Sequence, residues 1–232
     1  MNTAIWFAAF LAGAGCGLVD SEVTDVDVSL PARDVTVDAS DWRLSSVGQL
    51  PSVDCADDQM VCATTLPELC GLEGVCSAAC GSDGTCEISV RVMLWNTFDL
   101  AAERPQLQQI DGQPLVGVRI DRVYYSVSEN NLDIRLPALT VSVAPEGTMS
   151  LDGAGAEVIG TIPPLPAART IPEADLELDR DGLDRLADRL KDYTSRFNLI
   201  IGSVLTFEAG DRLPQGRMVM AVHATATGMT GL

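Results

Sequence analysis

This sequence predicts a mainly β chain: an antiparallel β-sandwich with one amphipathic helix and a disulfide-rich insertion. Three observations carry that prediction. Apolar and polar residues alternate at period two through most of the chain. Gly, Pro and Asn punctuate the alternating runs. Six cysteines crowd into residues 55–86. Strands of period two bounded by turn residues stack into two layers, immunoglobulin-like in broad architecture. The expected organisation is a signal peptide over 1–15, a lipidated tether over 16–24, and one sandwich domain over 25–232 into which 55–86 is inserted.

The elements follow in order. In "VDVSLPARDVTVDAS", Val26, Val28 and Leu30 share one parity, and Val35 and Val37 share the other. This predicts a hairpin turning at Pro31-Ala32. The cysteine segment is rich in Gly, Ala and Asp and supplies little core, so cross-links must order it by restricting the unfolded chain. It feeds a strand, "CEISVRVMLW", with Ile88, Val90, Val92 and Leu94 on one face. In "LVGVRIDRVYYSVS" the apolar parity switches near Asp121-Arg122, which predicts a β-bulge or a strand passing between sheets. "NLDIRLPALTVSVAP" carries Leu132, Ile134 and Leu136 and then Leu139, Val141 and Val143; Pro137 between them marks an edge or a break. Short strands separated by Gly and Pro fill 145–175. In residues 183–197, Leu183, Leu186, Leu190 and Phe197 form the apolar stripe of a helix started by Asp179 or Asp181. Asp181–Arg185 and Asp192–Arg196 have the spacing of ion pairs on its wet face. "NLIIGSVLTFEA" and "RMVMAVHATAT" close the chain as strands.

Residues 4–19 are almost wholly apolar or small, too short and glycine-rich for a comfortable membrane span. Gly13, Ala14, Gly15 and Cys16 at the end of that run resemble a bacterial lipoprotein signal. Small residues let a peptidase approach the backbone, and the resemblance implies a diacylglycerol thioether on Cys16. It also implies attachment to a cell-envelope membrane through the N-terminus. The outer membrane is favoured, because Gly17 and Leu18, not an acid, follow the cysteine. The alternative is an ordinary signal peptide with an incidental cysteine.

Composition narrows the function classes. Asp and Glu total 33 against 15 Lys and Arg, for a net charge of −18. Such a surface repels phosphate backbones, so nucleic acid is excluded as a partner. The asymmetry is steepest early: residues 1–90 hold 14 acids and two arginines. Seven cysteines are odd in number, but setting Cys16 aside leaves Cys55, Cys62, Cys70, Cys76, Cys80 and Cys86. An even set in an exported chain reads as three disulfides, with 15 connectivities open. Zinc fits poorly, since no Cys-x-x-Cys occurs and the lone histidine, His223, is distant in sequence.

Candidate chemistry is sparse. His223 could serve as a general base, but no nucleophile motif accompanies it, and the favoured reading is a surface or partly buried strand histidine. "ELDRDGLDRLAD" resembles part of a calcium-binding EF-hand loop through Glu177, Asp179, Asp181 and Asp188, with Gly182 at the turn. The acidic first turn of a helix explains the same residues. Asp25, Asp27, Asp34 and Asp38 would line the outer face of the first hairpin, relieved by a cation or by water. The reading is a non-catalytic, lipid-anchored envelope module that binds another envelope protein or plays a structural role. No cofactor is required beyond that calcium candidate. A carrier of a lipidic or apolar ligand, with the helix lidding a cavity, is the alternative, and an envelope hydrolase comes third.

Non-reducing peptide mapping should find all six cysteines of residues 55–86 bridged within that segment. Free thiols there, or a stoichiometric metal, overturn the disulfide reading.

Overall fold

A computed structural model describes residues 24–42, 44, 48–66, 75–110 and 112–231. The signal residues, Cys16 and Cys70 lie outside the described residues. Eleven strands occur among them: β1 (Thr24–Asp27), β2 (Asp34–Asp38), β3 (Cys76–Cys80), β4 (Cys86–Phe98), β5 (Leu115–Asn130), β6 (Leu139–Pro145), β7 (Glu157–Ile162), β8 (Ile171–Asp175), β9 (Glu177–Leu178), β10 (Phe197–Phe207) and β11 (Arg217–Thr230). Helices are α1 (Val61–Thr65), α2 (Leu100–Glu103), α3 (Pro105–Gln109) and α4 (Gly182–Lys191). A 3-10 turn at Ala39–Trp42 follows β2. Every strand pair is antiparallel. One sheet runs β1-β11-β5-β8, with β2 also on β11; the other runs β3-β4-β10-β6-β7-β9. Val123, Tyr125, Met218 and Met220 from the first sheet and Ile88, Val90, Val141 and Ile201 from the second belong to one core. The β-sandwich is therefore as the period-two pattern predicts.

The predicted first hairpin is not formed. β1 and β2 lie end to end along the same edge of β11, with Asp27 opposite Thr227, Leu30 opposite Ala224 and Asp34 opposite Ala221. Pro31 and Ala32 break one long edge strand without reversing it. The break shifts parity, which is why Val26, Val28 and Leu30 and then Val35 and Val37 all point into the core. Arg104 fastens this break: its Nε donates to the Ser29 carbonyl at 2.9 Å, and Nη1 lies 3.1 Å from Asp27. The predicted switch in β5 is a bulge: Thr225 faces Arg122, Ala226 faces Ile120, and Asp121 is skipped.

One helix was predicted, and α1–α3 add three short ones. α4 also ends earlier than the apolar stripe suggests. Leu186 and Leu190 are fully buried, but Leu183 is 40% exposed, and Phe197 is buried as the first residue of β10. The seven-residue spacing from Leu190 to Phe197 crosses the turn that ends the helix. α4 packs against β5 of one sheet and β7 of the other, closing that side of the sandwich. Its first residue presses on the sheet: a Cβ at Gly182 would fall 2.0 Å from the Ile159 carbonyl oxygen. β8 and β9 are consecutive in sequence but belong to opposite sheets, with Leu176 buried at the crossing.

The cysteine segment staples the opposite side. Cys55–Cys80 and Cys62–Cys86 are bridged, and Cys80 and Cys86 face each other across the β3–β4 hairpin. Closing loops of 25 and 24 residues each contributes about 3 kcal/mol by restricting the unfolded chain. Cys76 is also disulfide-bonded. The Sγ atoms of Cys55, Cys62 and Cys86 lie within 4.8 Å of one another. Because these sulfurs are bridged, none is a thiolate able to hold a metal.

After β6 the chain folds back over the outer face of the second sheet. The Asn198 amide donates to the Thr148 carbonyl at 2.8 Å, and Leu151 packs over Gly202. Ser142 is buried there, and its hydroxyl has no hydrogen-bond partner.

Leu186→Ala or Leu190→Ala should cost about 2–5 kcal/mol, the transfer and cavity terms of a buried leucine. Leu183→Ala should change the denaturation midpoint little. Ser142→Ala should leave stability unchanged or raise it by about 1 kcal/mol, since it removes an unsatisfied buried hydroxyl. Urea melts of the four variants check this pattern.

Candidate functional site: a groove where the second sheet splits

Pro137 has no N–H and Pro163-Pro164 faces it across the sheet, so neither flank can continue a regular ladder. The β6–β10 pairing accordingly ends at Gly202 opposite Thr140. Upstream of β6, Leu136 turns to Leu165 and exchanges two backbone hydrogen bonds with it, each 3.0 Å. Residues 203–207 of β10 thus keep β4 on one side and have no backbone ladder on the other among the described residues. The Ser203 hydroxyl donates to the Ala138 carbonyl at 2.8 Å and pins the point of divergence.

Between the diverging segments lies an open groove of about 660 Å³. Leu136, Leu205 and Phe207 form its buried floor; Pro137, Pro164 and Val204 line its sides. Val204 is 53% exposed. Arg135, Asp211 and Arg212 stand at the mouth. Asp211 is committed to its own turn, its carboxylate accepting from the Glu208 amide at 2.8 Å. Eight of the described arginines pair with carboxylates. Arg91, Arg135, Arg169, Arg180 and Arg212 do not; of these five, Arg135 and Arg212 line the groove, and neither makes a side-chain hydrogen bond among the described residues.

The residues singled out from sequence lie elsewhere. His223 sits on the outer face of the first sheet, its ring stacked on Tyr124 at 4.7 Å and 3°. The Arg122 guanidinium covers the other face of Tyr124 and is paired with Glu173 and Asp175. His223 Nε2 is 3.2 Å from the Ser126 hydroxyl. Burial pushes the imidazole below its usual pKa, against the attraction of Glu173 and Asp34. The calcium candidates do not converge. Glu177 is in β9, Asp181 is the N-cap residue of α4, and Asp188 lies two turns into that helix, so no loop wraps a common centre. Among the described residues, the only trio of His, Cys, Asp or Glu ligand atoms so close together is the cysteine set above. Arg185 takes the place of a cation, 2.7 Å from Asp179 and 3.8 Å from Asp181. Its hydrogen bond holds the Asp179 carboxyl below the usual range. Arg196 pairs with Asp99 at 2.8 Å and Glu146 at 3.4 Å, and the predicted bond to Asp192 is replaced by these. Asp25, Asp27, Asp34 and Asp38 are not set across paired strands, since β1 and β2 do not pair with each other.

Sequence reasoning missed Arg135, Arg212 and Val204. The available signal was proline at 137, 163 and 164, which marks a broken ladder without saying that the break opens a groove.

No family model and no curated protein matches the chain. Distant likenesses among solved structures include turnip yellow mosaic virus, at 9% identity and TM-score 0.27, covering 63% of this chain and 82% of that one. Desmodium yellow mottle tymovirus, at 8% identity and TM-score 0.25, covers 100% of this chain and 96% of that one. At such scores neither likeness carries an argument about fold or function.

The single histidine gives a clean pH test. The unfolded chain binds the His223 proton near the ordinary imidazole pKa of about 6.5, and the folded chain binds it only at lower pH. Stability should be flat above about pH 7.5 and fall as pH drops through 6.5 toward the folded pKa. Carboxylate losses belong to a lower window, near pH 4. Urea melts between pH 7.5 and 5 should show the slope, and His223→Phe, which keeps the ring stack, should flatten it.

Proposed function

We propose that this chain is a non-catalytic binding module of the cell envelope, anchored by lipid at Cys16 and engaging another envelope protein. The observation that carries the proposal is the polarity of the molecule. The described chain begins at β1, where Thr24 pairs with Thr230 at the last residue of β11. The groove lies beside the first residue of β11: Asn131 and Asp133, just before Ile134, bond to Arg217 and Gln215. β11 has 14 residues, so these ends stand roughly 45 Å apart at about 3.3 Å per residue. An anchor entering at Thr24 holds one pole at the membrane and presents the groove at the other.

Among the described residues no helix is long and apolar enough to cross a membrane. A carrier would need space beneath α4, and there Leu186 and Leu190 are fully buried against the sheets. Acid-base hydrolysis finds little support, since the calcium-candidate carboxylates do not converge and His223 is engaged with Tyr124 and Ser126.

Cys16→Ser tests the anchor. The variant should leave the membrane fraction or stall in processing, while the unaltered chain carries diacylglycerol by mass spectrometry. Unchanged fractionation together with no lipid on Cys16 sinks the proposal.

A further inference from the structure

We propose that the groove between residues 134–138 and 203–207 binds an extended peptide segment of a partner protein, one that carries apolar side chains and a carboxylate. This rests on the reading of the chain as a binding module and specifies the ligand of its groove.

Three independent features select that chemistry. First, the β10 edge at residues 203–207 lacks a neighbour on the groove side. An added strand supplies the hydrogen bonds this edge lacks, as in β-strand addition. Five residues of edge run about 16 Å, room for a segment of similar length. Second, the floor and sides are apolar, with Leu136, Leu205, Phe207 and the exposed Val204 facing the open volume. Alternate side chains of an added strand would point into it. Third, Arg135 and Arg212 at the mouth are without carboxylate partners in a chain of net charge −18. Guanidinium forks match carboxylates bidentately.

The overall negative charge does not cancel this local attraction. At physiological salt, charges beyond about 8 Å are largely screened; the mouth itself sets Arg135 and Arg212 against one carboxylate, Asp211, which already accepts the Glu208 amide. Cleaved before Cys16 as proposed, the chain does not supply the peptide from its own tether. Residues 17–23 reach no more than about 25 Å from Thr24, and the groove is at the far end of β11. An apolar amphiphile would use the floor and the arginines but would not need the open strand edge. That edge is what favours a peptide.

The test titrates the full chain, purified in detergent, with a fluorescein-labelled peptide of alternating Val and Glu, read by anisotropy. The expected result is saturable binding that Arg135→Glu with Arg212→Glu weakens by about 10-fold or more. Lys191→Glu with Arg180→Glu, the same charge change at exposed basic residues that do not line the groove, should leave binding within about 2-fold of the parent. None of the four side chains makes an ion pair within 4 Å among the described residues, and thermal unfolding of both double variants is measured alongside, a matched melting temperature being required of each. A peptide of alternating Val and Lys should not bind, and N-methylation of alternate amides of the Val-Glu peptide should abolish binding. Equal weakening by both double variants overturns the proposal, as does binding insensitive to N-methylation. No peptide binding at all also overturns it. These outcomes are separate from the Cys16→Ser result, which tests the anchor and not the groove.

Discussion

β11 holds together parts of the chain that are nearly 200 residues apart. Thr24 pairs with Thr230, Leu30 with Ala224 and Asp38 with Arg217, while the other edge of β11 carries the whole of β5. The first described strand therefore has no backbone partner until the last one exists. Closing so long a loop costs little more than closing a short one, because the entropy grows only with the logarithm of length. The kinetic cost is larger, since such non-local pairing slows folding. A chain exported before it folds would meet both ends together, which suits this topology. The disulfide segment works the opposite way: its bridges are local and tie residues 55–62 to a hairpin that needs nothing from β11.

Arginine does much of the joining at the ends of the sandwich. The chain has a single lysine, Lys191, so almost all its positive charge is guanidinium. Arg33 bonds the Thr97 carbonyl, pairs with Glu103 at 2.7 Å and lies over the Phe98 ring at 4.9 Å, linking the β2 entry, β4 and α2. Arg217 grips Glu129 with two bonds of 2.9 Å between β11 and β5. A planar fork can serve a carbonyl, a carboxylate and a ring at once, which a lysine ammonium cannot. Because these pairs are partly exposed, each adds little stability alone. Their contribution is to fix where loops meet sheets. Against that use, Arg135 and Arg212 are two of the five described arginines that form no ion pair, and both line the groove.

What could be read from the sequence was whatever period two encodes. The inward faces of β1, β2, β4 and β11 and the bulge at Asp121 follow from side-chain alternation, because one slipped residue would turn an apolar set into water. Strand partners are not encoded that way. Pro31-Ala32 is compatible with a hairpin and with an interrupted edge strand, and only the availability of β11 decides between them. The helix stripe failed at Phe197 for a related reason: a spacing of seven fits two turns of helix and also a turn followed by a strand. The calcium candidates are spread over β9, the N-cap and the body of α4, and Arg185 stands beside Asp179 and Asp181, because acidic residues before a helix are satisfied as well by a guanidinium as by an ion.

The groove is the least legible feature and the one with the clearest physical tension. An unpaired strand edge beside apolar surface invites aggregation, and proteins blunt such edges with charge, proline or cover. Here Pro137 and Pro164 deny the flanking segments to a further ladder, and Arg135 and Arg212 put charge at the mouth. Two guanidinium groups repel an identical copy of themselves, so two grooves facing each other are disfavoured. They do not repel a strand that brings a carboxylate. The same residues that protect the edge from nonspecific pairing thus admit one class of partner, which is how specificity arises when a site combines attraction with a built-in repulsion.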